Sequence, residues 1–181
     1  MDKTELVDKL ARVDEDAFFS GVGRDGRKVR VIVVGASALL LNDLSATQKT
    51  KDVDIFEAES SVRECLYRDP DFNSQCQAFC SCLPYNFEDR LVEIGLDTMS
   101  ITYQTPSVED LAVMKLYRWE DPDKADLTAE GFLSKLDWQQ LDYLVHDPSE
   151  AAASRSVPPE RDREFQNLLH NYDEYRKEWR R

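Results

Sequence analysis

The sequence predicts an α+β (mixed α/β) chain: a small mixed β-sheet flanked by helices in residues 1–105, followed by a helical C-terminal half over 106–181. Three observations predict it. VRVIVV at 29–34 is short, rich in Val and Ile, and stops at a glycine, as a buried strand does. KDVDIFEA (51–58) and MSITYQT (99–105) alternate apolar and polar residues with period two. After Pro106 that alternation gives way to apolar residues at helical spacing. At 181 residues the two regions are expected to form one structural unit, the helical region packing on the first.

The elements follow in order. Residues 4–19 place Leu6, Val7, Leu10 and Val13 near helical spacing behind Thr4 as cap, and GVGRDGR ends the pattern. The strand at 29–34 runs into Gly35, and SALLLND continues as a short helix after Ser37, before the polar loop SATQKTK. In 51–58 Val53 and Ile55 take one face and Asp52, Asp54 and Phe56 the other. SSVRECLYRD reads as a helix capped by Ser60 or Ser61, FNSQCQAFCSCL fits helix or strand, and Pro84 ends it. RLVEI (90–94) and 99–105 are strands, and SVEDLAVMKLYRW is a helix with Ser107 as N-cap and Asp110 at the capping-box offset. ADLTAEGFLSKL, DWQQLDYLVH and the segment after VPP are further helices, and residues 147–159 read as a mobile linker. Trp138, Tyr143, Phe165, Tyr172, Tyr175 and Trp179 are expected to pack the helices together.

Bulk properties exclude several classes. A net charge of −13 disfavours nonspecific attraction to nucleic-acid backbones. No window reaches the roughly 18 apolar residues of a membrane span, and MDKTELVDKL lacks the order of a secretory leader, so a cytoplasmic protein is expected. Cys76, Cys80 and Cys82 form C-x3-C-x-C, which with Cys65 is not a usual zinc spacing; buried thiols are the expectation. His146 and His170 lie far from the acidic pair and receive no acid-base role. P-loop, G-x-S-x-G and G-x-G-x-x-G motifs do not occur.

The chemistry concentrates at Asp52-Val53-Asp54. Carboxylates at i and i+2 of a strand share a face with β-carbons roughly 6.5 to 7 Å apart, and their oxygens can converge on a hard divalent cation. In a chain with 36 acidic residues a D-x-D also arises on a solvated face. Its context is a strand ending in Gly35-Ala36-Ser37, where a glycine lets backbone amides approach phosphate oxygens.

These residues carry a resemblance. VVGASALLLND followed by TKDVDIF resembles the opening of the nucleotidyltransferase superfamily, and more narrowly the minimal bacterial domains known as DUF6036 or AbiEii-like. LPYNFEDRLVEI, SVEDLAVMKLYRW, DKADL and LDWQQL are similar to later family segments in the same order, so the likeness covers about 29–145. It implies a nucleotidyltransferase-like fold that uses Mg2+ or Mn2+ and takes a nucleoside triphosphate as substrate. Residue by residue, it implies Asp52 and Asp54 as metal ligands, with Glu93 as third carboxylate and Asp97 as second choice. Gly35, Ala36 and Ser37 would form the triphosphate-facing turn, with Thr50 and Lys51 flanking it. Lys115 would reach the phosphates or a base pocket, and Asp123 and Asp126 match the late acidic motif of the nucleotide site.

Two departures keep alternatives open. The family's Gly-Ser pair is Gly35-Ala36, and its arginine before Thr-Lys-Asp is Gln48. One reading is an active enzyme acting on a protein, RNA or small-molecule hydroxyl, which the resemblance extends to the toxin-like half of a toxin–antitoxin or phage-defence pair with a cognate antitoxin. The other is a degenerate nucleotide-binding or protein-interaction module without turnover. Each bland alternative stands beside its sharp one: Lys115 as a snorkelling lysine, Asp123 and Asp126 as a solvated helix face, and Glu93 as the outward residue of an edge strand.

Overall fold

The Val/Ile run forms β1 (Val29–Val34). Val31, Ile32, Val33 and Val34 are all fully buried, so the strand is apolar on both faces, as a central strand requires. The computed structural model describes residues 1–180, apart from the side chains of residues 77–80. The other strands are β2 (Val53–Ala58), β3 (Phe72–Asn73), β4 (Val92–Glu93) and β5 (Ile101–Thr105). They form one five-stranded mixed sheet in the order β3-β2-β1-β5-β4. β1 pairs antiparallel with β2 and parallel with β5; β3 is parallel to β2, and β4 is antiparallel to β5. This confirms the α+β class predicted from the sequence.

The chain divides into two compact units: residues 1–77 with 91–106, and residues 78–90 with 107–181. The first holds the sheet with α1 (Lys3–Phe19), α2 (Gly35–Leu41) and α3 (Ser60–Leu66). Leu6, Leu10, Val13 and Ala17 line one stripe of α1 and pack into a core with Val31, Val33, Val53, Ile55, Ile101 and Tyr103. Burying each large aliphatic side chain there contributes about 1.5–3 kcal/mol. Polar contacts fix the register of that packing. Buried Asp14 accepts the N–H groups of Met99, Ser100 and Ile101 at 2.6, 2.8 and 2.8 Å, and the Tyr103 hydroxyl donates to Leu10 O at 2.8 Å.

Two caps differ from expectation. α1 is capped by Asp2, not Thr4: Asp2 Oδ1 accepts the Glu5 N–H at 3.0 Å and Glu5 Oε2 accepts the Asp2 N–H at 2.8 Å. A reciprocal box satisfies two orphan donors, and Thr4 has only Val7 at the corresponding offset. At α3 the cap position is Glu59, not a serine, because the helix leaves β2 directly; Glu59 gives its carboxylate to the Arg30 N–H at 3.2 Å instead.

In the second unit α4 (Val108–Arg118), α5 (Asp121–Leu127), α6 (Glu130–Lys135), α7 (Trp138–His146) and α8 (Arg163–Trp179) pack around Leu111, Leu116, Phe132, Leu144 and Leu168. Ser107 caps α4 as expected, its Oγ accepting the Asp110 N–H at 3.1 Å and donating to Asp110 Oδ2 at 2.7 Å. ADLTAEGFLSKL is two helices rather than one, broken where the Thr128 hydroxyl donates back to Lys124 O at 2.8 Å and Ala129 turns extended. Phe165, Tyr172 and Tyr175 are buried on α8, and the Trp138 and Tyr175 rings lie 5.0 Å apart, whereas Tyr143 is exposed. The ambiguous FNSQCQAFCSCL resolves into β3 and a 3-10 helix, Gln75–Cys82. Cys65 and Cys76 are buried thiols and Cys82 is half-buried; the Cys80 side chain lies outside the described residues.

The stretch 147–159, expected to be a mobile linker, is tied down. Glu150 and Ala151 are buried, and the Arg90 guanidinium lies between Asp110 and Glu150 at 2.9 and 3.0 Å. Arg155 binds Asp162 at 2.6 Å and Ser81 Oγ at 3.1 Å. Its small, polar composition reads as linker, yet it carries the counter-charges of buried groups. No helix among the described residues is long and apolar enough to cross a membrane.

Candidate active site

The site is built where β1 ends. Val34 pairs with Asp54 on β2, and the chain then turns through Gly35 at φ +66° into α2. A Cβ on Gly35 would stand 2.4 Å from Asp54 Oδ2, so glycine is what lets the carboxylate lie against the turn. The ladder also shifts register between Ile32 and Val33: Ile32 faces Glu57 and Val33 faces Ile55, leaving Phe56 as an extra residue. Such a bulge re-aims the side chains beside it, here one turn of the pleat from Asp54.

Asp52 lies in the bend just before β2, exposed, and Asp54 is half-buried. Asp54 is in register with Asn73 on β3, so their side chains share a face, and Asn73 Nδ2 donates to Asp52 Oδ2 at 3.3 Å. The two carboxylates and the amide therefore meet on one face of the sheet. Thr50, buried, donates its hydroxyl to Asp52 O at 2.9 Å and shapes that bend, while Lys51 is exposed beside it. Gln48, where the family pattern has arginine, takes φ +54° and closes its loop by donating Nε2 to Ser45 O at 2.5 Å. Burial and then the Asp54 charge push the Cys76 thiol up to about 12, which keeps it protonated and inert.

The other expected residues fall into three groups. Gly35 and Ala36 reach the surface of the turn, but Ser37 is fully buried: its hydroxyl donates to Val34 O at 2.8 Å and accepts the Asp54 N–H at 3.4 Å. Ser37 thus positions Asp54 from beneath. Glu93 and Asp97 are exposed, and Glu93 pairs with Gln104 of β5. β5 and β1 both intervene between β4 and β2, a lateral separation of roughly 14 Å at about 4.8 Å per strand. The structure does not bring Glu93 to the aspartates.

Lys115, Asp123 and Asp126 do come together, within the helical unit. Lys115 Nζ donates to Asp123 Oδ1 at 3.1 Å and Asp126 Oδ2 at 2.8 Å, and Arg118 also holds Asp123. Burial drives the Asp123 carboxyl upward, but the Arg118 hydrogen bond and the charges of Lys115 and Arg118 outweigh it and leave the group below its ordinary value. Arg155 depresses the Asp162 carboxyl in the same way, against a smaller opposing effect of burial. Depressed carboxyls stabilise the fold fully above their unfolded value of 3.8 and lose that contribution as pH falls through the folded values. We expect a melting temperature that is level above about pH 5 and falls steadily below pH 4, with the fall reduced in Asp162→Asn; thermal melts between pH 2.5 and 6 check it.

Asp52 and Asp54 supply hard oxygen donors. They fit a small divalent cation that keeps waters and takes its remaining oxygens from a triphosphate. They do not make a closed cage: among the described residues no group of three or more His, Cys, Asp or Glu side chains is placed to hold an ion. Sequence reasoning missed Asn73. Its only signal was a polar residue in the strand candidate that follows D-x-D, and the parallel register of a two-residue strand is not legible in the chain.

Comparison with known proteins gives one result. Neither the curated proteins nor the solved structures contain a match to the chain. The family described as "Nucleotidyltransferase of unknown function (DUF6036)" matches residues 8–180, taking in both units, the Gly35 turn and the aspartate pair. On that match the chain belongs to the DUF6036 nucleotidyltransferase family.

Proposed function

We propose that the chain is a metal-dependent nucleotidyltransferase that moves a nucleoside monophosphate from a nucleoside triphosphate to a hydroxyl acceptor, with pyrophosphate as the leaving group. The observation that carries the reading is the face on which Asp52 and Asp54 meet beside the bare Cα of Gly35. Mg2+ or Mn2+ held by the two aspartates would supply charge neutralisation to the triphosphate. The chain's own residues do the rest. Gly35 and Ala36 leave room for phosphate at the turn, Ser37 and Thr50 hold Asp54 and Asp52 in place, and exposed Lys51 offers a cation beside them. A net charge of −13 favours a protein or small-molecule hydroxyl over a long bare RNA as acceptor.

Calorimetric titration of ATP, GTP, CTP and UTP with Mg2+ or Mn2+ tests the reading. Saturable, metal-dependent binding is expected in the wild type and at least ~100-fold weaker binding in Asp52→Ala/Asp54→Ala, since both charged ligands are lost. Binding that survives the double substitution would place the nucleotide elsewhere. A second reading, a nucleotide-binding module without turnover, is favoured by Ala36 and Gln48 and by a metal set of only two carboxylates among the described residues. Binding without pyrophosphate release selects it. Growth arrest on expression, absent from the double variant, would extend the first reading to the toxin-like half of a toxin–antitoxin or phage-defence pair.

A further inference from the structure

We propose that Asn73 stands in the place of a third metal carboxylate, so that the divalent ion is bound only together with the triphosphate. The inference rests on the nucleotidyltransferase reading and concerns how that site is completed. Among the described residues, only β1 and β3 flank β2 in the sheet. On the β1 side the residue opposite Asp54 is Val34, which offers no donor; on the β3 side it is Asn73. Of the two residues in register with Asp54, Asn73 is therefore the one that carries a side-chain oxygen.

The hydrogen bonds of Asn73 fix how its amide is turned. Oδ1 accepts the Gln75 N–H at 2.9 Å, and Nδ2 donates to Asp52 Oδ2 at 3.3 Å. The amide thus spends its oxygen on the backbone and points N–H donors at the aspartate, where a cation would need an acceptor. That donor offsets part of the repulsion between two neighbouring carboxylates, which otherwise demands a counter-charge. A chain so arranged tolerates the pair without an ion and gives an ion too few charged ligands to bind alone. The phosphate oxygens of a nucleoside triphosphate supply what the protein omits.

Asn73→Asp is close to isosteric. One carboxylate oxygen can keep the Gln75 N–H while the other faces the aspartates, converting a donor into a third anionic ligand. Mn2+ alone, and Mn2+ with α,β-methylene nucleoside triphosphates, would be titrated into wild type, Asn73→Asp and Asn73→Ala, with bound Mn2+ read by its paramagnetic resonance. Expected are nucleotide-dependent Mn2+ binding in the wild type, and in Asn73→Asp at least ~10-fold tighter binding of Mn2+ without nucleotide. Asn73→Ala, which removes the donor without adding a charge, gains none.

Failures separate cleanly. Wild type that takes up Mn2+ equally well without nucleotide overturns the inference and leaves the nucleotidyltransferase reading standing, as does an Asn73→Asp chain that binds Mn2+·nucleotide but gains nothing for Mn2+ alone. Absence of Mn2+·nucleotide binding in wild type and all variants overturns both. If Asn73→Asp fails to fold, the wild type's own contrast with and without nucleotide still decides.

Discussion

Replacing Gly35 with alanine is expected to weaken metal-dependent nucleotide binding by at least ~10-fold and to lower stability by about 1–2 kcal/mol, through two separable effects. The first is backbone strain: Gly35 sits at φ +66°, a conformation that costs an L-residue about 1–2 kcal/mol. The second is local. The new Cβ would lie 2.4 Å from Asp54 Oδ2, so the carboxylate must swing away from the turn, and with it half of the charged donor set. Gly26→Ala separates the two. Gly26 also has positive φ, +83°, but nothing lies within 4 Å of the place its methyl group would take. It should share the stability loss and leave binding at the wild-type level. Urea denaturation gives the first quantity and calorimetry the second. A Gly35→Ala chain that binds nucleotide as tightly as Gly26→Ala would show that the close approach of Asp54 to the turn is not required.

What the sequence reveals of this fold is what depends on local pattern. β1 is legible because a central strand needs an unbroken apolar run, and Val31 to Val34 provide it. The faces of β2 are legible because Val53 and Ile55 must point to the core, which sends Asp54 the other way. Ser107 is legible as a cap because its partner Asp110 lies three residues on. Strand order is another matter. Nothing in RLVEI states that β4 joins the far side of β5, and that placement alone separates Glu93 from the aspartates. Asn73 is hidden for the same reason, since its importance comes from a pairing across 19 residues of chain between Asp54 and Asn73. Glu150 looks like linker because its partner Arg90 is 60 residues away. The motif EDLAVMKL points to Lys115, but its spacing does not disclose that the acids it meets are those eight and eleven residues later.

That last cluster yields a large expected stability effect in the helical unit. Lys115 is buried, with Asp123 fully buried beside it and Asp126 nearly so. Lys115→Met keeps the aliphatic stem and removes the charge, taking from Asp126 its 2.8 Å ammonium and leaving Arg118 as the cation on Asp123. Breaking a buried pair from one side costs about 3–5 kcal/mol, because the surviving charge stays out of water. Retention of Arg118 puts the expected loss near ~3 kcal/mol, or roughly 6–12 °C in melting temperature for a chain of this size. The companion variant Asp126→Asn identifies the cause. If the cost of Lys115→Met comes from the loss of the ammonium beside the Asp126 carboxylate, then adding Asp126→Asn removes that charge and the double variant recovers about 1–3 kcal/mol of the sum of the single losses. Strict additivity in that cycle would mean that the loss in Lys115→Met arises at the 3.1 Å contact with Asp123, and that the 2.8 Å contact with Asp126 contributes nothing measurable.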